Sequence, residues 1–260
     1  MHSNATLNVR REGGNTDKEM LMAVLLLAYG DPNAKTMLRN AIQTRYGLRP
    51  PVLDSLHLDF KGRTRAKVGP VIAWVPFEAS AYFQFPAAMR WDFTVRPMGL
   101  PVQRGVEAFQ DDSFRTARGK RTAMLIKDTG HINYLRRRLW AIAAVLLTPL
   151  GDSYVRLSVE GERRFHATNT QTGDTVTLDL RADHSVEQVA IPAVNPDTGA
   201  SQLLTMKPSS ESVELDGLML PQSITMYWDD EQTFDIQPIA ANQQYRVPTG
   251  LFALDKRVAG

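Results

Sequence analysis

Between Val71 and Val95 apolar and polar positions alternate with a period of two. Every second residue from Val71 gives one face of Val71, Ala73, Val75, Phe77, Ala79, Ala81, Phe83 and Phe85. The other face mixes Ile72, Trp74 and Tyr82 with Glu78, Ser80 and Gln84, so one side is dry and the other half wet. After a break at Pro86 the alternation resumes, with Met89, Trp91, Phe93 and Val95 set against Arg90, Asp92, Thr94 and Arg96. Two neighbouring antiparallel strands covering one core produce this pattern. The stretch from Trp74 to Trp91 holds two of the four tryptophans and three of the ten phenylalanines, which places it at the centre of the predicted sheet.

The same period runs outward on both sides. From Val52 onward Leu56, Leu58, Phe60, Gly62, Thr64 and Ala66 oppose His57, Asp59, Lys61, Arg63, Arg65 and Lys67, a solvated strand face. Gly69-Pro70 and Gly99-Leu100-Pro101 are turns, Val102 to Phe109 is a fourth strand, and Phe114 to Ile126 a fifth. Beyond Gly151 short strands recur at Tyr154–Val159, Arg164–Asn169, Thr175–Arg181, Val186–Ile191, Ser201–Met206, Ser212–Leu215, Ile224–Trp228 and Thr233–Ile239. The turns between them, such as Gln171-Thr172-Gly173 and Pro196-Asp197-Thr198-Gly199, are hairpin chemistry rather than the connections of a parallel sheet.

Three segments break the period. Met20 to Tyr29, behind a rough capping box at Thr16 or Asp17 and Glu19, reads as a short helix ended by Gly30. Asp31-Pro32 opens a second, to about Tyr46, with Gly47 as its left-handed terminator. The strongest helical stripe is interior. Ile132, Leu135, Leu139, Ile142, Ala143 and Leu146 fall at i, i+3, i+7, i+10, i+11 and i+14, widened by Trp140 and Leu147, with Arg136, Arg137 and Arg138 in its first half. A sheet with one apolar face needs a cover, and this helix, ending before Pro149, suits it, its arginines reaching to the rim.

The expected fold is therefore mainly β, of the α+β class: a long curved antiparallel meander or open barrel covered by one long helix, with two short N-terminal helices. Residues 1–16 read as a flexible tail and residues 17–260 as a single domain, with helices in 17–47, sheet in 52–128, the covering helix in 131–149 and sheet again in 153–247.

Composition and charge alter this picture little. Of 260 residues, 43% are hydrophobic and 22% charged, and cysteine is absent, which excludes disulfides, thiolate nucleophiles and cysteine-ligated metals. The net charge of +2 conceals a separation: residues 35–138 hold 19 Lys and Arg against 8 Asp and Glu, and residues 150–250 hold 6 against 15. The two halves attract, so packing side by side accounts for the basic half without a nucleic-acid partner. The run Met20–Tyr29 is about half the ~20 residues of a membrane span. No basic-then-apolar leader precedes it, so a cytoplasmic protein is expected, or a periplasmic or membrane-associated one if a leader is missing upstream.

Candidate chemistry is sparse. His2, His57, His131, His166 and His184 show no metal spacing, no phosphate loop or nucleophile elbow is present, and Asp229-Asp230-Glu231 reads as a solvated turn. No metal, cofactor or catalytic residue is assigned. An acid–base pair assembled from distant strands would draw on Glu78, Asp92, Glu107, Arg90 and His131. Phe77, Phe83, Phe85, Trp91, Phe93, Leu139, Trp140, Met226 and Trp228 read first as core and second as the lining of a cavity left on the concave side of the sheet.

The run Trp74-Val75-Pro76-Phe77-Glu78-Ala79, with Tyr82-Phe83, Phe85 and Met89-Arg90-Trp91, is followed by Gly105 to Phe109, by Leu147-Thr148-Pro149, by Asp216 to Pro221 and by Trp228. Together these resemble a family of uncharacterised bacterial proteins carrying a domain of unknown function, over about residues 50–240. Members usually carry a glutamate in the long helix a few residues before Trp-x-Pro; this chain has Ala143 and Ala144 instead, and its tryptophan lies earlier, at Trp140. More distantly, strand order and covering helix look like the open half-barrels of LolA/LolB-type lipoprotein carriers. The almost wholly apolar second half of the helix, the Phe- and Trp-rich sheet face it must cover and the lack of a catalytic constellation point to a non-catalytic module holding a lipid or acyl chain between the concave sheet and the helix. An enzyme of the kind above, and a scaffold with a filled core, stand as alternatives.

Overall fold

In the computed structural model, residues 30–97, 102–119 and 121–254 are described. The N-terminal tail, the helix expected over Met20–Tyr29 and the turn at Gly99-Leu100-Pro101 lie outside them.

Asp31 caps α1 (Pro32–Tyr46), accepting from the Asn33 N–H at 2.8 Å with Pro32 just inside the start, and Gly47 leaves the helix at φ +69°. The chain then lays down β1 (Ser55–Val68), β2 (Val71–Gln84), β3 (Ala88–Val95), β4 (Gln103–Gln110), β5 (Ser113–Arg118) and β6 (Met124–Ile126), each antiparallel to the last. The fifth strand expected as one piece to Ile126 is two, because Gly119 turns the chain at φ +59°. Next comes α2 (Thr129–Leu146), then a 3₁₀ turn at Thr148–Gly151. A second meander follows: β7 (Val155–Gly161), β8 (Arg164–Asn169), β9 (Thr175–Leu180), β10 (Val186–Val194) and β11 (Ser201–Pro208). A separate hairpin, β12 (Ser212–Leu215) and β13 (Leu218–Pro221), precedes β14 (Ile224–Trp228) and β15 (Glu231–Asn242).

All but the hairpin join one antiparallel sheet of 13 strands, in the order β6-β5-β4-β3-β2-β1-β15-β14-β11-β10-β9-β8-β7. It is curved and open, not a closed barrel. Its edges are the two strands flanking α2, so the helix carries the chain from one edge to the other across the concave face. That crossing explains its length and apolarity. α2 lies along β10, touches β9 and β11, and reaches β4 and β5 on the opposite arm. It begins three residues before the apolar stripe because Asp128 accepts from the His131 N–H at 2.8 Å. At its other end Leu147 turns at φ +68°, and α1 supplies donors for the orphan carbonyls. Arg45 donates to Val145 O, and the Tyr46 hydroxyl donates to Leu146 O at 2.8 Å.

The charge separation has a structural counterpart where the two meanders meet, at the β1–β15 ladder. Arg63 there pairs with Asp235 at 3.0 Å and Arg65 with Glu231. Gly62 sits in the same ladder, and a Cβ on it would stand 2.1 Å from Asp235 O, so no side chain fits without parting the strands.

Candidate functional site

Where α2 passes over the middle of the sheet, packing is incomplete. Ile142, Val145 and Leu146 of the helix face Leu58, Phe60, Phe83 and Trp91 of the first meander and Met206, Met226 and Ile236 of the second, and Leu220 and Pro221 of the hairpin close one side. Between them is a cavity of about 40 Å³. That is room for one or two waters by volume, but a space with so few polar partners stays dry. No lining residue is charged. Their side chains contribute one polar N–H, that of the Trp91 indole, which is buried without a hydrogen-bond acceptor among the described residues.

Of the residues singled out in the sequence, Phe83, Trp91 and Met226 line this cavity. The other six lie elsewhere around the core. Phe77 stacks with Phe93 at 6.2 Å and meets Phe234 edge-on at 5.6 Å, Phe85 stacks on Phe83, and Trp228 lies against Tyr134. Leu139, itself on α2, is buried against the core. Trp140 projects from α2 toward β8, donating its indole N–H to Ala167 O at 3.1 Å. The other eleven lining residues were missed in the sequence, among them Leu220, Pro221 and Ile224. The Asp216-Gly217 turn between Val213-Glu214-Leu215 and Leu218-Met219-Leu220 is a hairpin signal that points to these last three.

The three arginines of α2 part company. Arg136 and Arg137 reach the rim, where their Nε atoms meet the two oxygens of the buried Asp174 carboxylate at 2.7 and 3.0 Å. Burial pushes that carboxyl up, but the hydrogen bonds from the two guanidiniums outweigh it and hold it below the usual carboxylate range. Arg138 differs from the expectation that all three seek the rim. It turns into the concavity, its guanidinium carbon 4.2 Å from the Trp91 ring centroid. A stripe apolar nearly all round cannot tell which arginine faces inward.

No family model matches the chain, and no curated protein does. It is similar, among solved structures, to a LolA superfamily protein from Nitrosomonas europaea, at 12% identity over 84% of this chain and 96% of that one, with a TM-score of 0.47. It is also similar to a DUF1329 family protein from Desulfovibrio piger, at 11% identity over 84% and 96%, with a TM-score of 0.48. The resemblances read from the sequence, to a domain-of-unknown-function family and to LolA-type half-barrels, name the same two kinds of protein. What the cavity can hold follows from its own lining.

Of the five acid–base recruits only Arg90 and Asp92 meet. Arg90 clasps Asp92 at 2.6 and 2.8 Å and donates to Leu251 O, Glu78 pairs with Arg96 at 3.2 Å, Glu107 pairs with Arg118 at 3.0 Å, and His131 stacks on Phe114. On the face of the sheet that Arg90 and Asp92 share, turned away from the cavity, Asp59 lies between Ser80, which donates to it at 2.6 Å, and His57 at 3.2 Å. With the carboxylate in the middle, the histidine has no hold on the serine proton, and the arrangement is not that of an activated nucleophile. Beside it burial pushes the Tyr82 phenol up, and the carboxylate of Asp92 adds to that. A depression of about 330 Å³ near Gly62 is wider than the cavity, but it is a groove bordered by Lys61, Arg63, Glu78 and Asp235. Among the described residues no group of three or more His, Asp or Glu could hold a metal ion, and no helix is long and apolar enough to cross a membrane.

Proposed function

We propose that the protein holds an apolar ligand, a lipid or acyl chain, between the concave sheet face and α2, and performs no reaction on it. One observation carries this reading: the cavity under Ile142, Val145 and Leu146 has no charged group in its lining and lies at the centre of an open half-barrel bridged by a single helix. Its 40 Å³ is far below the roughly 300 Å³ of a ligand pocket, so uptake requires the covering pieces to move. The β12–β13 hairpin, which lies outside the main sheet, and the second half of α2 are the pieces that would do so.

The small volume also favours a second reading, a scaffold whose core has one packing gap. The variant Ile142→Phe separates the two. Ile142 is half-buried, so its side chain has slack, and the larger ring can enter the cavity. On the ligand reading, decanol binds the wild type measurably by isothermal titration calorimetry. Ile142→Phe then weakens that binding on the order of tenfold, while stability changes by less than about 1.5 kcal/mol. On the scaffold reading, decanol binds neither protein.

A further inference from the structure

Arg138 carries a formal positive charge into the concavity with 5% of its surface exposed. It forms no ion pair among the described residues, and its buried Nε–H has no acceptor. An arginine cannot escape burial by giving up its proton. Rings surround it: the Trp91 centroid at 4.2 Å, Phe234 at 5.8 Å and Tyr134 at 6.0 Å. Attraction to their faces offsets part of the lost hydration but supplies no acceptor for an N–H. The Tyr134 hydroxyl is within hydrogen-bonding reach of the Arg138 guanidinium: burial pushes its phenol up, the Arg138 charge and that hydrogen bond act in the opposite sense, and the carboxylates of Glu107 and Asp197 add to the rise.

Two more donors on the same face are also unpartnered among the described residues. The Trp91 indole N–H is one. The Thr116 hydroxyl is the other, and it occupies the strand position opposite Glu107, which is itself opposite Trp91. Glu107 is the carboxylate in this row, and Arg118 holds it at 3.0 Å. The concavity thus presents a buried cation against the orphaned Trp91 indole N–H, with a third orphaned donor two strands along the same row and Glu107, between them in that row, engaged by Arg118. Buried donors without acceptors are rare and costly, and an anionic oxygen group would satisfy several of them at once.

We infer that this is the headgroup seat of the ligand, and that the protein selects single-chain amphiphiles ending in a carboxylate or phosphate. The inference rests on the apolar-ligand reading and adds the polar end. Arg138 lies on the same helical stripe as Ile142, Val145 and Leu146, at i, i+4, i+7 and i+8. From Arg138 to Leu146 the helix rises about 12 Å, the length of an extended chain of roughly ten carbons. The head accepts from Arg138 and the Trp91 indole, and the chain runs along that stripe into the cavity.

The test is calorimetric titration of the wild type, below micelle-forming concentrations, with decanoate, decyl phosphate, decanol and decyltrimethylammonium. Decanoate or decyl phosphate should bind at least about tenfold more tightly than decanol, and the cation more weakly than either. The stronger of the two anions identifies the headgroup. Arg138→Met keeps an unbranched, flexible apolar stem and removes the charge; it should collapse the preference for anion over alcohol to near unity. Equal binding of decanol and decanoate to the wild type would overturn the headgroup seat and leave the apolar-ligand reading standing. No binding of any of the four would overturn both. Since the wild-type comparison decides alone, a variant that fails to fold does not blunt the test. A folded Arg138→Met that retains the preference would also refute it.

Discussion

Trp140→Ala is expected to lower the stability of the protein by about 3–5 kcal/mol, and its melting temperature by on the order of 10 °C. Trp140 is buried at the heart of α2, packs against Tyr154 at 6.3 Å and donates its indole N–H to Ala167 O on β8. Truncation removes the largest side chain that ties the covering helix to the far arm of the sheet, leaves a cavity, and takes away a buried hydrogen bond. Trp140→Phe keeps most of the volume and should lose only about 1–2 kcal/mol. Chemical denaturation of both variants checks the pair. A loss below 1 kcal/mol for the alanine variant would mean that Trp140 is not a core anchor.

Asp174→Asn is expected to cost about 2–4 kcal/mol at neutral pH. The carboxylate is buried and accepts from both Arg136 and Arg137, so the neutral amide leaves two guanidiniums competing for one weaker acceptor. The figure sits below the usual cost of breaking a buried pair, because both arginines are partly exposed and regain water. The effect has a defined pH dependence. The folded-state pKa of Asp174 is depressed, so its contribution is present above the unfolded value near 3.9 and is lost as pH falls through the folded one. The stability difference between wild type and Asp174→Asn should therefore be full at pH 7, begin to shrink near pH 4 and fade in stronger acid. A difference that grew on acidification would contradict the pairing.

Much of the fold is legible in the sequence because strand faces and helix stripes are local signals. The period of two from Leu56 to Phe85 marks the buried face, and Leu56, Leu58, Phe60, Val75, Phe77, Ala79, Ala81 and Phe83 are buried as it implies. What is not legible depends on contacts far apart in the chain. Nothing local says that β15 returns to pair with β1, although the opposite charges of Arg63 and Asp235, and of Arg65 and Glu231, are the trace of that pairing. The candidate site divides in the same way. Aromatic richness pointed to Phe83 and Trp91, but α2 is buried on more than one side, so its stripe does not tell that Trp140 packs toward β8 while Ile142 and Leu146 meet the cavity. Arg138 is hidden for a related reason: in a run of three arginines, periodicity separates the faces but does not show which one is wet.

The most direct test of the ligand reading is native mass spectrometry of the purified protein, set beside the mass of the denatured chain and an organic extract of the same sample. The account predicts an adduct of a few hundred daltons that is lost on denaturation and recovered in the extract as an anionic amphiphile, and that Ile142→Phe reduces. A native mass equal to the bare chain, together with no calorimetric response to decanol or decanoate, would contradict it.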